Sequence, residues 1–186
     1  AKGYDYELKA PDAPGYTVEV QKTGTKEKPS FKVIYRQLPS LTIKKILEGE
    51  QSPNKSFTIN VTLSDKDGKP INGKFGNTTV TNGKAQISLK NSQETTLEYL
   101  PRDTHYKVEE AEKSKAGYHV TYDKQEGTLS KDVQTIVTNH RLPTLSVTKK
   151  VTGAFANLLQ SFKITINVRD AQNRPLNGSY NVLVNN

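Results

Sequence analysis

Apolar and polar residues alternate along much of the chain, which predicts short β-strands. We expect strands near residues 41–48, 56–64, 73–80, 84–90, 95–99, 104–111, 117–123 and 132–139. Turn sequences separate them at Asp67-Gly68, Asn72-Gly73, Asn82-Gly83, Pro101-Arg102-Asp103 and Gly127. So many short strands in about 100 residues predict an all-β fold, a Greek-key β-sandwich of the immunoglobulin-like type.

The chain also repeats itself. Leu38-Pro39-Ser40-Leu41 recurs 104 residues later as Leu142-Pro143-Thr144-Leu145, and residues 56–75 match 161–180 at an offset of 105. Residues 4–18 match 106–120 at an offset of 102. The sequence therefore predicts tandem repeat units of about 100 residues, a common domain size.

This repeat predicts the domain organisation. One complete domain spans 41–139, flanked by short Pro-containing linkers at 38–40 and 140–144. Residues 1–37 are predicted to be the C-terminal half of a preceding unit, and 145–186 the N-terminal half of a following one. Half a domain cannot bury a core, so the two halves are either disordered or complement something, each other included. A chain without Met is also expected to be a piece of a longer protein.

Three polar residues fall on strand faces that are otherwise apolar: Lys45, Glu110 and Asn139. Burial lowers the pKa of an amine and raises that of a carboxyl group, so a neutral amine can attack a carboxamide with the acid as proton carrier. Loss of ammonia would leave an isopeptide bond. The alternative is a hydrogen-bonded polar cluster without a covalent bond. If Lys44 faced inward instead, the assignment would shift by one residue.

Composition argues against several other kinds of site. The net charge is +8, Cys is absent, and the His residues are scattered without ligand spacing. The Lys residues mostly alternate with apolar ones or lie in turns, which is typical of a solvated strand face and gives no nucleic-acid motif. Disulfides and thiolate metal sites are impossible without Cys, so no metal or other cofactor is expected. No run of residues is long enough to span a membrane. Asp65-Lys66-Asp67-Gly68 is interpreted as a β-turn, because it lacks the later acidic ligands of a calcium loop.

Four segments in order resemble the Cna B-type, isopeptide-forming domains of Gram-positive pilins and surface adhesins. These segments are LTIKK (41–45), SFTINVTL (56–63), LPRDTHYKVEE (100–110) and TIVTN (135–139), and the nearest likeness is to streptococcal backbone pilin domains. Arg102-Asp103 replaces the usual small turn residue, and the last strand lacks the usual Phe. The resemblance implies a Cna B-type sandwich in which Lys45 and Asn139 are crosslinked and Glu110 is catalytic.

The partial units serve as internal controls. Leu8 stands where Glu110 stands, although a shifted register would make Glu7 the counterpart, and Tyr35 stands where Asn139 stands. The sequence has no Asn before Asn54, so no such bond is expected in the first segment. Lys149 is the equivalent of Lys45 in the last unit, and we expect it to stay an unpaired, free amine.

We therefore expect a structural stalk or shaft segment of a cell-wall-anchored bacterial adhesin or pilus, stabilised by a self-generated Lys-Asn isopeptide bond. It would be extracellular, on the cell surface, and anchored through other parts of its parent. The bond forms once per molecule, so the chain is not expected to be an enzyme. The expected partners are neighbouring repeat units of the same chain, with neither nucleic acid nor membrane contact. The alternative is a module that binds a host matrix protein or another host extracellular protein.

Overall fold

The computed structural model describes residues 5–49, 54–153, 160–176 and 178. The chain divides into two compact units, residues 1–144 and 145–186. The first unit contains an N-terminal hairpin and a β-sandwich that begins at Leu41.

Twelve strands and one short helix form in the described residues. The hairpin consists of β1 (Tyr16–Gly24) and β2 (Pro29–Gln37). The sandwich consists of β3 (Leu41–Glu48), β4 (Ser56–Ser64), β5 (Gly73–Phe75), β6 (Thr78–Val80), β7 (Lys84–Lys90), β8 (Glu94–Leu97), β9 (Thr104–Glu110), α1 (Glu112–Lys115), β10 (Tyr118–Tyr122), β11 (Glu126–Leu129) and β12 (Val133–Arg141). The predicted all-β fold is confirmed.

Two four-stranded sheets make up the sandwich, in the orders β10-β12-β3-β8 and β11-β9-β4-β7. Neighbouring strands are antiparallel except β3 and β12, the first and last strands of the sandwich, which pair in parallel from Val133↔Leu41 to His140↔Glu48. The start and the end of the sandwich therefore lie side by side in one sheet.

The core lies between the sheets and follows the strand alternation. Every second residue is buried along β7 and β9, and along β3 as far as Leu47. The apolar side chains of the main core include Leu41, Ile43, Ile59, Val61, Leu63, Val80, Leu97, Leu100, Val108, Leu129 and Val137. A smaller cluster of Leu47, Phe57 and Tyr118 lies next to it.

Two predictions of local structure are wrong. The single strand expected near 73–80 is a hairpin of β5 and β6, because Gly76 has a positive φ of 60° and turns the chain there. Gly127 was predicted as a turn residue but lies inside β11, paired with Tyr106. A Cβ at Gly127 would approach that tyrosine ring to 3.1 Å, so Gly127 makes room for a packed ring instead of a turn.

The N-terminal hairpin contacts the sandwich next to Gly15 and at Gln37. Gly15 lies against Tyr99, and a Cβ at Gly15 would come within 2.7 Å of the tyrosine ring. Arg102 donates a hydrogen bond to the carbonyl of Gln37 at 3.0 Å. An isolated two-stranded hairpin is marginal in water, so these contacts help to keep residues 16–37 ordered.

The pairing within this hairpin repeats that of β10 with β12. Tyr16 pairs with Gln37 as Tyr118 pairs with Arg141. Each hairpin is closed by the same backbone bond, from the leucine after its second strand to the glycine before its first: Leu38 to Gly15 at 2.8 Å and Leu142 to Gly117 at 2.9 Å.

The described residues of the second unit form no β-strand. It contains an isolated bridge between Arg169 and Pro175, which matches the bridge between Ser64 and Pro70 in the sandwich. Most apolar side chains in its described residues are exposed, including Leu145, Val147, Phe162, Ile164 and Ile166. The predicted match of 161–180 with 56–75 extends to residues 177, 179 and 180, which lie outside the described residues.

We expect Gly15→Ala to release the hairpin from the sandwich. The new methyl group clashes with the Tyr99 ring, and the φ of +78° at Gly15 also disfavours a side chain. A penalty near 1 kcal/mol would make tryptic cleavage within 16–37 roughly fivefold faster. Gly117→Ala is the matched control, because it carries the same backbone strain while its methyl group meets no atom within 4 Å. Equal cleavage of the hairpin in both variants would contradict the contact's importance.

Candidate functional site

Lys45 and Asn139 lie on the two strands that pair in parallel. Lys45 is opposite Val137, and Asn139 is opposite Leu47, so the two polar residues are diagonal neighbours. Both are fully buried, whereas Lys44 is half-buried. The alternation of β3 therefore turns Lys45 inward between Ile43 and Leu47.

Glu110 reaches the same place from the opposite sheet. It is the last residue of β9, pairs with Ile59 on β4 and has only 2% of its surface exposed. The structure thus brings together all three residues that the sequence singled out, from the first, a late and the last strand of the sandwich.

The three side chains form a chain of short contacts. Lys45 Nζ donates to Asn139 Oδ1 at 2.7 Å, and Asn139 Nδ2 donates to Glu110 Oε1 at 2.7 Å. Lys45 Nζ lies 3.6 Å from Glu110 Oε2, which has no hydrogen-bond partner among the described residues. The carboxyl group thus faces both nitrogens, with one oxygen near each.

The surroundings of Lys45 favour the loss of its proton. Burial lowers the pKa of Lys45 to about 8, against an opposing influence from the negative charge of Glu110. The amine also donates to the backbone carbonyls of Ile46 at 2.9 Å and Val137 at 3.1 Å, and it lies 4.6 Å from the centre of the Phe57 ring. A buried amine with a lowered pKa is a potential nucleophile.

The sequence analysis missed two residues beside the cluster. Phe57 covers the amine from β4 and packs edge-to-face on Tyr118 at 5.5 Å. Tyr122 accepts a hydrogen bond from the backbone N–H of Glu110 at 2.8 Å. The alternation that places Tyr118 inward also places Tyr122 on the same face, and that was the available signal.

Lys149 has a different environment. It is exposed, donates a long hydrogen bond of 3.4 Å to the carbonyl of Gln160, and lies 4.4 Å from the centre of the Phe162 ring. The contact with Phe162 repeats that of Lys45 with Phe57. The expectation that Lys149 stays a free amine remains a prediction.

The described residues contain neither a metal site of the usual ligands nor a membrane-spanning helix. No group of three or more His, Cys, Asp or Glu side chains there is placed to hold a metal ion. In the same residues, no helix has both the length and the apolar character needed to cross a membrane.

The solved structures to which this chain is similar include adhesins and a major pilin. The pilus-presented adhesin Spy0125 (Cpa) is 24% identical, with a TM-score of 0.52 over 57% of this chain and 28% of that one. The major pilin T-13 from Streptococcus pyogenes is 19% identical, with a TM-score of 0.43 over 72% and 64% of the two chains. An adhesin from Mobiluncus mulieris that contains disulfide, isopeptide and ester crosslinks is 15% identical, with a TM-score of 0.43 over 61% and 44%.

The first of these similarities confirms the fold implied by the resemblance to pilin and surface-adhesin domains. The aligned part is less than a third of that adhesin's length. No curated protein matches the chain. The family model described as "Domain of unknown function (DUF7601)" matches residues 39–141, which is more than half of the 186 residues. The chain therefore belongs to the DUF7601 family.

Proposed function

We propose that this chain is a structural segment of a bacterial surface stalk or pilus shaft, locked by an isopeptide bond between Lys45 and Asn139. The observation that carries the proposal is the buried contact of 2.7 Å between Lys45 Nζ and the Asn139 carboxamide, with Glu110 beside both. A buried lysine contributes little to stability as an ion pair, so its presence in a core calls for another explanation.

The chemistry balances with the three residues alone. Glu110 Oε2 takes a proton from Lys45 Nζ, and the neutral amine attacks Cγ of Asn139. The Nζ–Cγ bond forms, the tetrahedral intermediate collapses, and the Cγ–Nδ2 bond breaks. Glu110 Oε1, 2.7 Å from Nδ2, passes this proton to the leaving nitrogen. The regenerated carboxylate then takes the second proton from Nζ, so a neutral amide remains, and the departing ammonia carries that proton away as ammonium. The hydrogen bond from Nζ to Oδ1 also polarises the carbonyl before attack.

This reaction consumes its own reactants. Each chain can form the bond once, so Glu110 acts in a self-modification and the protein is not an enzyme with turnover. The fold supplies the rate by holding the amine and the carboxamide in contact, which replaces a collision in solution.

The position of the proposed bond determines how the domain would carry tension. Tension pulls β3 at Leu41 and β12 at Arg141 in opposite directions, and in a parallel pair this shears the strands past each other. With the bond in place, force passes from residues 41–45 directly to 139–141. Residues 46–138 then carry no load.

Repeated local geometry supports the assignment of the flanking segments to further units. The hairpin of 16–37 copies β10 with β12, as described above. The turn after Asp170 copies the one after Asp65, since each aspartate accepts two backbone N–H bonds and a residue with positive φ follows, Asn173 or Gly68. We propose that 1–37 belongs to a preceding unit and 145–186 to a following one, with 41–139 complete.

The same proposal implies a cellular location and a set of binding partners. A stalk of this kind is extracellular, anchored to the cell wall through other parts of the parent protein, and contacts neighbouring repeat units. Its similarity in fold to a domain of a pilus-presented adhesin is consistent with this setting.

Intact mass tests the bond directly. We expect the purified protein to be lighter than its calculated mass by one ammonia, and Asn139→Ala and Glu110→Gln to have their full calculated masses. Lys149→Ala is the control and should remain one ammonia lighter than calculated, because its amine lies outside the cluster. A full calculated mass for the natural sequence would leave only a hydrogen-bonded cluster and would favour the host-binding alternative.

Stability against pH tests the burial of the amine in Asn139→Ala, which cannot crosslink. The pKa of Lys45 is about 8 in the folded chain against 10.5 as its ordinary value, so between these values the unfolded state binds more protons. The free energy of unfolding should therefore rise from pH 8 to 10.5, by up to about 3 kcal/mol. Denaturant unfolding at each pH measures the rise.

The matched control for this titration is Lys45→Met in the same Asn139→Ala background. It keeps the other titrating groups, including Tyr106 and Tyr122, whose pKa values burial raises. The difference between the two variants isolates Lys45. Parallel stability curves would contradict the lowered pKa.

Force spectroscopy tests the load path. We expect Asn139→Ala to unfold under tension with a gain in contour length of roughly 340 Å, from about 100 residues at ~3.4 Å each. The crosslinked protein should show no such step, because its residues 46–138 are outside the path of force. A full-length step in a sample whose mass shows the bond would contradict the shielding.

A further inference from the structure

Tyr122 connects the two sheets at the position of Glu110. It is the last residue of β10, in the sheet that holds Lys45 and Asn139, and pairs with Val137. Its phenol oxygen accepts a hydrogen bond of 2.8 Å from the backbone N–H of Glu110, in the opposite sheet. The contact therefore links the strand of the proton carrier to the sheet of the two reacting residues.

The N–H of Glu110 needs such a partner because its neighbouring strand has ended. The last pair between β9 and β11 joins Lys107 to Glu126, and the Val108 N–H then donates to the carbonyl of Gln125 at 2.8 Å. Two residues later the edge of β9 faces no strand in the part of the chain that the structure describes. The Tyr122 phenol takes the place of a strand carbonyl at Glu110 and satisfies a backbone donor that burial would otherwise leave unpaired.

The N-terminal hairpin provides a comparison within the same chain. Its strand register aligns Val18 with Val120 and Val20 with Tyr122, since their partners Tyr35 and Val33 align with Asn139 and Val137. Tyr16 and Tyr118 are both tyrosine, and Val18 and Val120 are both valine. The phenol at Tyr122 is therefore absent from the hairpin that also lacks the Asn acceptor.

The position equivalent to Glu110 is occupied by Leu8 in the register of the repeat, or by Glu7 if the register is shifted by one residue. The residue types of Tyr118 and Val120 are kept in the hairpin, whereas Tyr122 is replaced together with Asn139. This pattern ties the phenol to the crosslinking cluster instead of to the hairpin fold.

We propose that Tyr122 is a positioning residue that holds Glu110 in place for the crosslinking reaction. This inference rests on the proposed function. The bond to the phenol anchors the end of β9, and with it the carboxyl group that lies 2.7 Å from Asn139 Nδ2 and 3.6 Å from Lys45 Nζ. The residue acts through Glu110 and does not touch the reacting atoms.

The rate of crosslinking during refolding tests the inference. Denatured, uncrosslinked protein, made by synthesis or semisynthesis, is refolded and its loss of ammonia is followed by intact mass, for the natural sequence, Tyr122→Phe and Tyr106→Phe. Phenylalanine keeps the ring and removes only the phenol oxygen. Tyr106→Phe is the matched control, because it removes a phenol from β9 itself, at a core ring that lies against Gly127.

We expect Tyr122→Phe to crosslink at least about tenfold more slowly than the natural sequence, since small displacements of a reacting group reduce rates strongly. Tyr106→Phe should match the natural rate. A second measurement uses the Asn139→Ala background, where no bond can form. There Tyr122→Phe should shift the amide-proton resonance of Glu110 upfield and speed its hydrogen exchange, a signature that packing of the ring alone would not produce.

Equal rates for Tyr122→Phe and the natural sequence would overturn the inference, as would an unchanged Glu110 amide. Failure of the proposed function looks different: the natural sequence and Tyr106→Phe would then keep their full masses. In that case there is no reaction for Tyr122 to serve, and the inference falls with it.

Discussion

The structure depends on the parallel pairing of β3 with β12. This pairing joins the first and last strands of the sandwich and buries Lys45 next to Asn139. Burial of an ammonium group is destabilising because the charge loses its hydration. Hydrogen bonds from Lys45 to Asn139 and to two backbone carbonyls offset only part of this free-energy cost. The lowered pKa of Lys45 reflects the desolvation of the charged amine that these bonds do not offset. Burial, which destabilises the charged amine, is also what prepares the neutral amine to react.

The two-sheet architecture places Glu110, the proposed proton carrier, beside the other two groups. It comes from the sheet opposite Lys45 and Asn139, so the three groups meet only when the sheets are packed. The contact of Tyr122 with Glu110 crosses the same gap between the sheets. Packing, backbone satisfaction and the placement of the carboxyl group are therefore achieved by one set of interactions.

Alternation in the sequence was enough to predict most strands of the sandwich and the inward direction of Lys45, Glu110 and Asn139. The features it missed depend on contacts between distant residues. Gly127 looks like a turn residue until the ring of Tyr106 is seen to occupy the space where a side chain would be. The role of Tyr122 was hidden because it depends on where β11 ends relative to β9, which strand periodicity does not specify. Gly15 likewise became informative only through its contact with Tyr99.

The separation of Lys45 and Asn139 by 94 residues has a consequence for timing. In the proposed reaction the last strand of the sandwich supplies the acceptor, so the covalent bond would not form until the rest of the domain has been made and folded. Contacts between the two ends of a chain are typically the slow ones to form. The bond would therefore mark completed folding. A chain interrupted before β12 would keep a free Lys45 amine, and only a completely folded domain would be crosslinked.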